Sequence, residues 1–245
     1  MSDLLLAILP VFLLAGLVKG VIGLGLPTVA MGLLGALMPP AEAAALLIVP
    51  SAVTNIWQML AGGRLIALGR RLWPMLAGIC LGTWAGSGLL ARDPTGHAAT
   101  ALGAALIVYA LAGLAAPRLH LGPRTEAWAG LPIGALTGLI TAATGVFVIP
   151  AVPFLQAIGL EKEELVQALG LSFTISTAAL ALGLARDGVF GFDIAGASLI
   201  ALAPALAGMW LGQWIRLRVS AQTFRRCFFL GLTALGGYLV LRGVL

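Results

Sequence analysis

Charge is what this chain of 245 residues has least of. Only 9 % of it is Asp, Glu, Lys or Arg, while 60 % is apolar and the mean hydropathy is +1.07. Soluble domains carry roughly a quarter charged residues. A fold of this size with so few charges could not cover its surface in water, which excludes a cytosolic enzyme and a disordered protein. The basic residues are dispersed between apolar blocks and form no patch, so no nucleic-acid partner is expected. Cysteine and histidine are equally scarce. Cys80 and Cys227 lie inside apolar blocks with no CxxC pattern, and read as small core hydrophobes. His97 and His120 lie at block ends. There is no HExxH, no aspartate pair and no interior histidine, so neither an intramembrane enzyme nor a metal or cofactor is expected. The N-terminus Met1-Ser2-Asp3 lacks a basic n-region and an A-x-A cleavage site, and reads as a retained first span rather than a removed signal peptide.

What is present is a series of apolar blocks, at 4–38, 42–61, 72–91, 97–116, 127–158, 164–185, 193–215 and 223–244. A span needs about 20 residues to cross ~30 Å of hydrocarbon. Six blocks fit one crossing. The first and fifth are too long for one, and glycine and proline interrupt both: Gly20, Gly23, Gly25 and Pro27 in one, Gly138, Gly145, Pro150 and Pro153 in the other. The alternatives are eight crossings or ten passes. The positive-inside rule chooses between them. If each long block passes twice, Arg64, Arg70, Arg71, Arg118, Arg124, Lys162, Arg216, Arg218, Arg225 and Arg226 share one side, ten residues against Arg92, Arg186 and Arg242. If each passes once, the same thirteen divide seven to six. The first parity is favoured, with the Arg-rich loops in the cytoplasm and both termini outside.

The chain also repeats itself. Pro74-Met-Leu-Ala-Gly-Ile-Cys-Leu-Gly-Thr-Trp84 and Pro204-Ala-Leu-Ala-Gly-Met-Trp-Leu-Gly-Gln-Trp214 are identical at seven of eleven positions. Gly16 and Gly20 match Gly134 and Gly138, Pro27 aligns with Pro150, and Gly103 with Gly231. Five segments per half is odd, so the second copy starts from the opposite face and the repeat is inverted. The expected fold is therefore an all-α polytopic membrane protein of about ten segments. It comprises two inverted repeats of five, 1–122 and 123–245, with broken or re-entrant helices near Gly20–Pro27 and Gly138–Pro150. Transporters of this organisation bind substrate where the broken helices of the two halves meet. Gly78, Gly82, Gly208 and Gly212 are expected to let helices pack closely, Trp84 and Trp214 to pack inside, and Trp73 and Trp128 to join an interfacial belt.

All nine carboxylates lie at block ends or in loops: Asp3, Glu42, Asp93, Glu126, Glu161, Glu163, Glu164, Asp187 and Asp193. Lys19 is the exception among the charges, some fifteen residues into the first block and beside its break. A buried ammonium with no carboxylate at its depth points to an anionic ligand, with Gly20, Gly23 and Gly25 offering backbone N–H donors. The competing reading is a shallow first segment that lets Lys19 reach the interface. Ser51, Thr54, Asn55 and Gln58 recur at i, i+3, i+4 and i+7, one polar helix face that must look inward. The corresponding helix of the second half carries Thr174 and Thr177 in register, with Ser172 and Ser176 nearby; Thr141 and Thr144 at the second break are weaker candidates. Hydroxyls on such helices often do no more than bond their own backbone.

Gly16-Leu-Val-Lys19-Gly20-Val-Ile-Gly23-Leu-Gly25 followed by Pro27 resembles the N-terminal signature of the sulfite exporter TauE/SafE (TSUP) family, and Pro50-Ser51 with Asn55-Ile-Trp57-Gln58 resembles a subgroup of it. The resemblance covers essentially the whole chain. It implies a multi-pass transporter of the plasma (inner) membrane for small sulfur-containing or organic anions such as sulfite, sulfonates or sulfoacetate. The family often has three consecutive glycines at each break; here the first reads Gly23-Leu-Gly25-Leu-Pro27 and the second Thr141-Ala-Ala-Thr144-Gly145. The expected partners are the lipid bilayer and a small anion, with the oligomeric state open. The rival reading is a non-transporting membrane subunit or scaffold that needs a partner.

Overall fold

The computed structural model describes residues 2–93, 97–115, 120–218 and 220–244; Arg118, one of the ten residues of the charge bias, lies outside them. These residues form ten α-helices and no strand: α1 (Ser2–Ile22), α2 (Leu26–Gly35), α3 (Pro40–Leu60), α4 (Leu65–Ala85), α5 (His97–Ala115), α6 (Pro123–Thr144), α7 (Ala151–Ala157), α8 (Lys162–Arg186), α9 (Phe192–Arg216) and α10 (Ala221–Val244). Seven of them, α3, α4, α5, α6, α8, α9 and α10, are long and apolar enough to cross a membrane. The protein is a multi-pass, all-helical membrane protein.

Each long apolar block is two helices. The first is interrupted at Gly23 and Gly25, whose φ values of 79° and 104° are left-handed, a conformation that costs residues with a Cβ roughly 1–2 kcal/mol. Pro27 then falls in the first turn of α2, where its missing N–H breaks no bond. The fifth block breaks at Gly145, φ 70°, and resumes after Pro150. With 10 and 7 residues, α2 and α7 extend only ~15 and ~10 Å at 1.5 Å per residue, too short to cross. Both are buried: Leu26, Met31 and Leu34 of α2, and Phe147 just before α7, are fully enclosed.

The helices pair most extensively as α1 with α9, α4 with α6, α5 with α10 and α3 with α8. Glycine makes the first two pairings possible. A Cβ on Gly16 would strike the Ala205 carbonyl and one on Gly20 the Met209 carbonyl, while Gly208 and Gly212 face the carbonyls of Leu13 and Leu17. The second pairing repeats the first in register: Gly134 and Gly138 meet the carbonyls of Met75 and Ile79, and Gly78 and Gly82 meet those of Leu131 and Ala135. The backbones touch because nothing projects between them. In α5 and α10 the structure pairs Gly103 with Gly236, each against the other's carbonyl oxygen 2.7 Å from an added Cβ. Gly231, which the sequence repeat aligns with Gly103, has open space around it.

The outer surface is apolar. Trp73 and Trp128 are largely exposed, as an interfacial belt requires. Trp84 and Trp214 are also outside, 70 % and 49 % exposed, rather than packed within. Their glycine neighbours turn inward, and the indoles therefore project from the opposite faces of α4 and α9. Cys80 and Cys227 are exposed as well, not core residues. In a bilayer such apolar exposure faces lipid.

Three ion pairs join the helix ends. Arg64 meets Glu164 at 2.9 Å and Arg71 meets Glu126 at 2.6 Å, near the N-terminal ends of α4, α6 and α8. Arg92 meets Asp187 at 3.2 Å just beyond the C-terminal ends of α4 and α8, so the first and last pairs mark opposite ends of the bundle.

Gly208→Ala should destabilise the protein by about 1–3 kcal/mol through the clash of its methyl with Leu13. Gly231→Ala, in open space, should be neutral or stabilising by up to about 1 kcal/mol through helix propensity. Thermal unfolding of the two variants in detergent measures the difference.

Candidate functional site

Lys19 ends in the interior. It occupies the last turn of α1 and is only 4 % exposed, so the interface-reaching alternative does not describe this structure. The last turn is closed by the Gly23 N–H donating to the Lys19 carbonyl at 2.8 Å. The helix C-terminus also carries partial negative charge, which favours a cation. The Lys19 Nζ donates to Thr54 Oγ1 at 3.1 Å and to Asn55 Oδ1. No carboxylate pairs with it among the described residues.

The protons around Lys19 have a definite direction. Thr54 Oγ1 donates to the Pro50 carbonyl at 2.7 Å, leaving its lone pairs for the ammonium. Thr177 Oγ1 donates to the Phe173 carbonyl at 2.7 Å and so accepts from Asn55 Nδ2 at 3.3 Å. That bond sets the Asn55 amide with its oxygen toward Lys19. An ammonium has three N–H donors, and two are used. Lys19 of α1, Thr54 and Asn55 of α3 and Thr177 of α8 thus meet in one chain of hydrogen bonds.

Gln58 lies one turn further along α3 and bridges the first break to α8. Its Nε2 donates to the carbonyls of Gly23 at 3.2 Å and Val166 at 3.1 Å. Its Oε1 has no partner, and neither do the buried hydroxyls of Ser51, Ser172 and Ser176. Buried polar atoms are rarely left unpaired, because each costs about 1–3 kcal/mol. Four of them on the two helices that carry Asn55 and Thr177 constitute hydrogen-bonding capacity awaiting a polar ligand or water.

Other candidates have local uses. Gly20 packs against α9. Gly25 is the N-cap of α2, next to Val18 and Phe228. Thr141, Thr144 and Thr174 donate to the carbonyls of Thr137, Ile140 and Gly170 in their own helices, and Thr144 also accepts the Val146 N–H at 3.2 Å. At the position of α6 that corresponds to Lys19, one residue before Gly138, stands Thr137, bonded to the Ile133 carbonyl. No charged side chain stands at that position of α6.

Two supporting residues escaped the sequence reading. Pro50 lies inside α3 and has no N–H for the Leu46 carbonyl. Ser198 of α9 supplies the missing donor, giving its hydroxyl proton to Leu46 O at 2.7 Å and accepting the Val49 N–H at 3.1 Å. Gln167 of α8 closes the C-terminal end of α3, donating to the Met59 and Gly62 carbonyls at 2.8 Å and accepting the Arg64 N–H. A glutamine within an apolar run was a visible signal for Gln167. A lone serine was none for Ser198.

Apolar spans built around a buried, carboxylate-free cation and two broken helices define a membrane transporter. A family model described as Sulfite exporter TauE/SafE matches residues 8–239. The chain belongs to the sulfite exporter TauE/SafE family, a transporter family, and membership implies a small anionic substrate in a membrane setting. No curated protein and no solved structure matches it.

Ser198→Ala should cost about 1–3 kcal/mol of stability by orphaning the Leu46 carbonyl. It should also loosen the segment of α3 that aims Thr54 and Asn55. The thermal midpoint in detergent measures the first effect, and hydrogen exchange of the Val49 amide the second.

Proposed function

We propose that the protein carries small sulfur oxyanions of the sulfite, sulfonate and sulfoacetate class across the plasma membrane, by alternating access between inverted repeats 1–122 and 123–245. The observation that carries this reading is the Lys19 ammonium, buried, held only by neutral oxygens, and flanked by unpartnered hydroxyls. An oxyanion satisfies the charge and the hydroxyl donors at once. In this reading Lys19 supplies attraction. Asn55, Thr54, Ser51 and Gln58 orient the anion. Ser172, Ser176, Thr177 and Thr174 form the facing wall, and Gly20, Gly23 and Gly25 with Thr141 and Thr144 shape the two breaks.

Two features of the packing support the repeat. Exchanging α1–α5 with α6–α10 turns the α1–α9 pairing into α6–α4 and returns α3–α8 and α5–α10 to themselves, as a pseudo-twofold requires. The ion pairs join loops that share a side only if the second broken block, α6 with α7, returns to the face it entered. Arg64 follows the third segment and Glu164 the seventh, while Arg92 follows the fourth and Asp187 the eighth. On the charge bias, the Arg64 end is cytoplasmic and both termini lie outside. Expulsion of a monoanion from a negative interior gains ~2.3 kcal/mol per 100 mV, so export needs no membrane-embedded carboxylate.

Uptake of labelled sulfite into proteoliposomes tests the reading. Lys19→Met should abolish transport. Asn55→Asp should also lower it at least about tenfold, because a carboxylate beside Lys19 supplies the charge the substrate would otherwise provide; the same variant should fold at least as stably as the parent. Parent-like transport by both variants would sink the assignment.

A further inference from the structure

Resting on that reading, we propose a second, outer oxyanion site at the end of the bundle marked by Arg92 and Arg186, on the substrate's route to Lys19. A cavity of about 360 Å³ opens there, lined by Trp84, Ala85, Ser87, Arg92, Arg186 and Asp187. A smaller cavity shares Ser87 and Asp187 with it and continues inward to Thr83, Ala142, Leu180 and Leu184. Thr83 is 4 % exposed and its hydroxyl has no partner. Leu180 lies three residues from Thr177, which bonds Asn55 at the Lys19 site. One face of α8, through Thr177, Leu180, Leu184 and Asp187, therefore leads from the buried ammonium to the mouth. Buried Leu180 and Leu184 form the apolar barrier between the two sites.

The charge at the mouth suits an anion. Two guanidinium groups face one carboxylate. Asp187, with its side chain 5 % exposed, takes a single contact from Arg92 at 3.2 Å, at the long limit of a hydrogen bond. Arg186 joins no ion pair among the described residues. The C-terminus of α8 would itself repel an anion, but its carbonyls are occupied. Gly183 accepts from Asp187 N, Leu184 from Val189 N and Phe190 N, and Ala185 from Gly188 N. A small oxyanion in the mouth can thus take the Arg92 and Arg186 N–H groups together with the Ser87 hydroxyl, while Thr83 lies deeper, on the smaller cavity. The opposite end is fastened by Gln58, Gln167 and the Arg64–Glu164 pair, so the mouth at Arg92 is the open approach in this conformation.

Trp84 lines the cavity and reports on it directly. The full-length protein in neutral phosphatidylcholine nanodiscs is titrated with sodium sulfite and with methanesulfonate. Tryptophan fluorescence is read as the difference from Trp84→Phe. The expected result is a saturable Trp84 signal that persists in Lys19→Met. Its midpoint should rise at least about tenfold in the Arg92→Gln/Arg186→Gln double variant, since charge-assisted bonds are lost. Arg186→Gln alone, which breaks no ion pair, should raise it several-fold. No saturable Trp84 signal, or midpoints unmoved by these arginine changes, would overturn the proposal. So would a signal that answers only to phosphatidylglycerol added to the nanodiscs and not to sulfite, which would make the mouth a lipid-headgroup site. In proteoliposomes the arginine variants should raise KM and leave the maximal rate unchanged. Binding at Trp84 without any sulfite transport by the parent would retain the outer site and reject the transport reading instead.

Discussion

The Lys19 ammonium sets the terms for the centre of this molecule. An ion in a medium of low dielectric must be solvated by something, and a carboxylate would do so most strongly. Here the described structure offers two neutral oxygens, from Thr54 and Asn55, and the negative end of α1. These stabilise the charge without cancelling it. A more stable centre, with a carboxylate beside Lys19, would be a poorer place for an anion to bind.

The scaffold that holds this centre depends on glycine. The pairings α1–α9 and α4–α6 bring backbones into contact at eight glycines in matching register, and exposed bulk such as Trp84 and Trp214 lies on the other side of the same helices. The matching glycine contacts of α1–α9 and α4–α6 do not extend to the charge. Thr137, the counterpart of Lys19, merely bonds its own helix.

Much of the site was legible because polarity stands out in an apolar chain. Lys19, Thr54, Asn55 and Gln58 were each conspicuous by type and spacing; the first three share hydrogen bonds, and Gln58 instead bonds the Gly23 and Val166 carbonyls. Thr141, Thr144 and Thr174 were conspicuous too, but a threonine in a helix always has its own i−4 carbonyl within reach, and sequence cannot say which use will win. Asp187 lies at a helix end, as expected, yet its side chain is almost wholly buried. Burial there is decided by the turn after α4, which a reading of apolar blocks does not resolve. The contact that Gly103 makes was not legible for a related reason. Several glycines in α10 are plausible partners by sequence, and only the crossing point of α5 and α10 selects Gly236.

Composition alone determined that the chain lives in a membrane, because 9 % charge cannot hydrate a soluble surface. The duplicated Pro-Gly-Gly-Trp pattern marked two related halves, and the depth of one lysine marked an anion as the ligand to expect. Tertiary structure decided which groups answer that lysine, which glycines touch, and that Ser198 repairs the helix Pro50 interrupts. The Lys19–Thr54 and Ser198–Leu46 bonds alone join residues 35 and 152 positions apart. Apolar periodicity says which face of a helix turns inward, but not which neighbour it meets; that depends on how the backbones nest, and the nesting is settled only when every helix is in place.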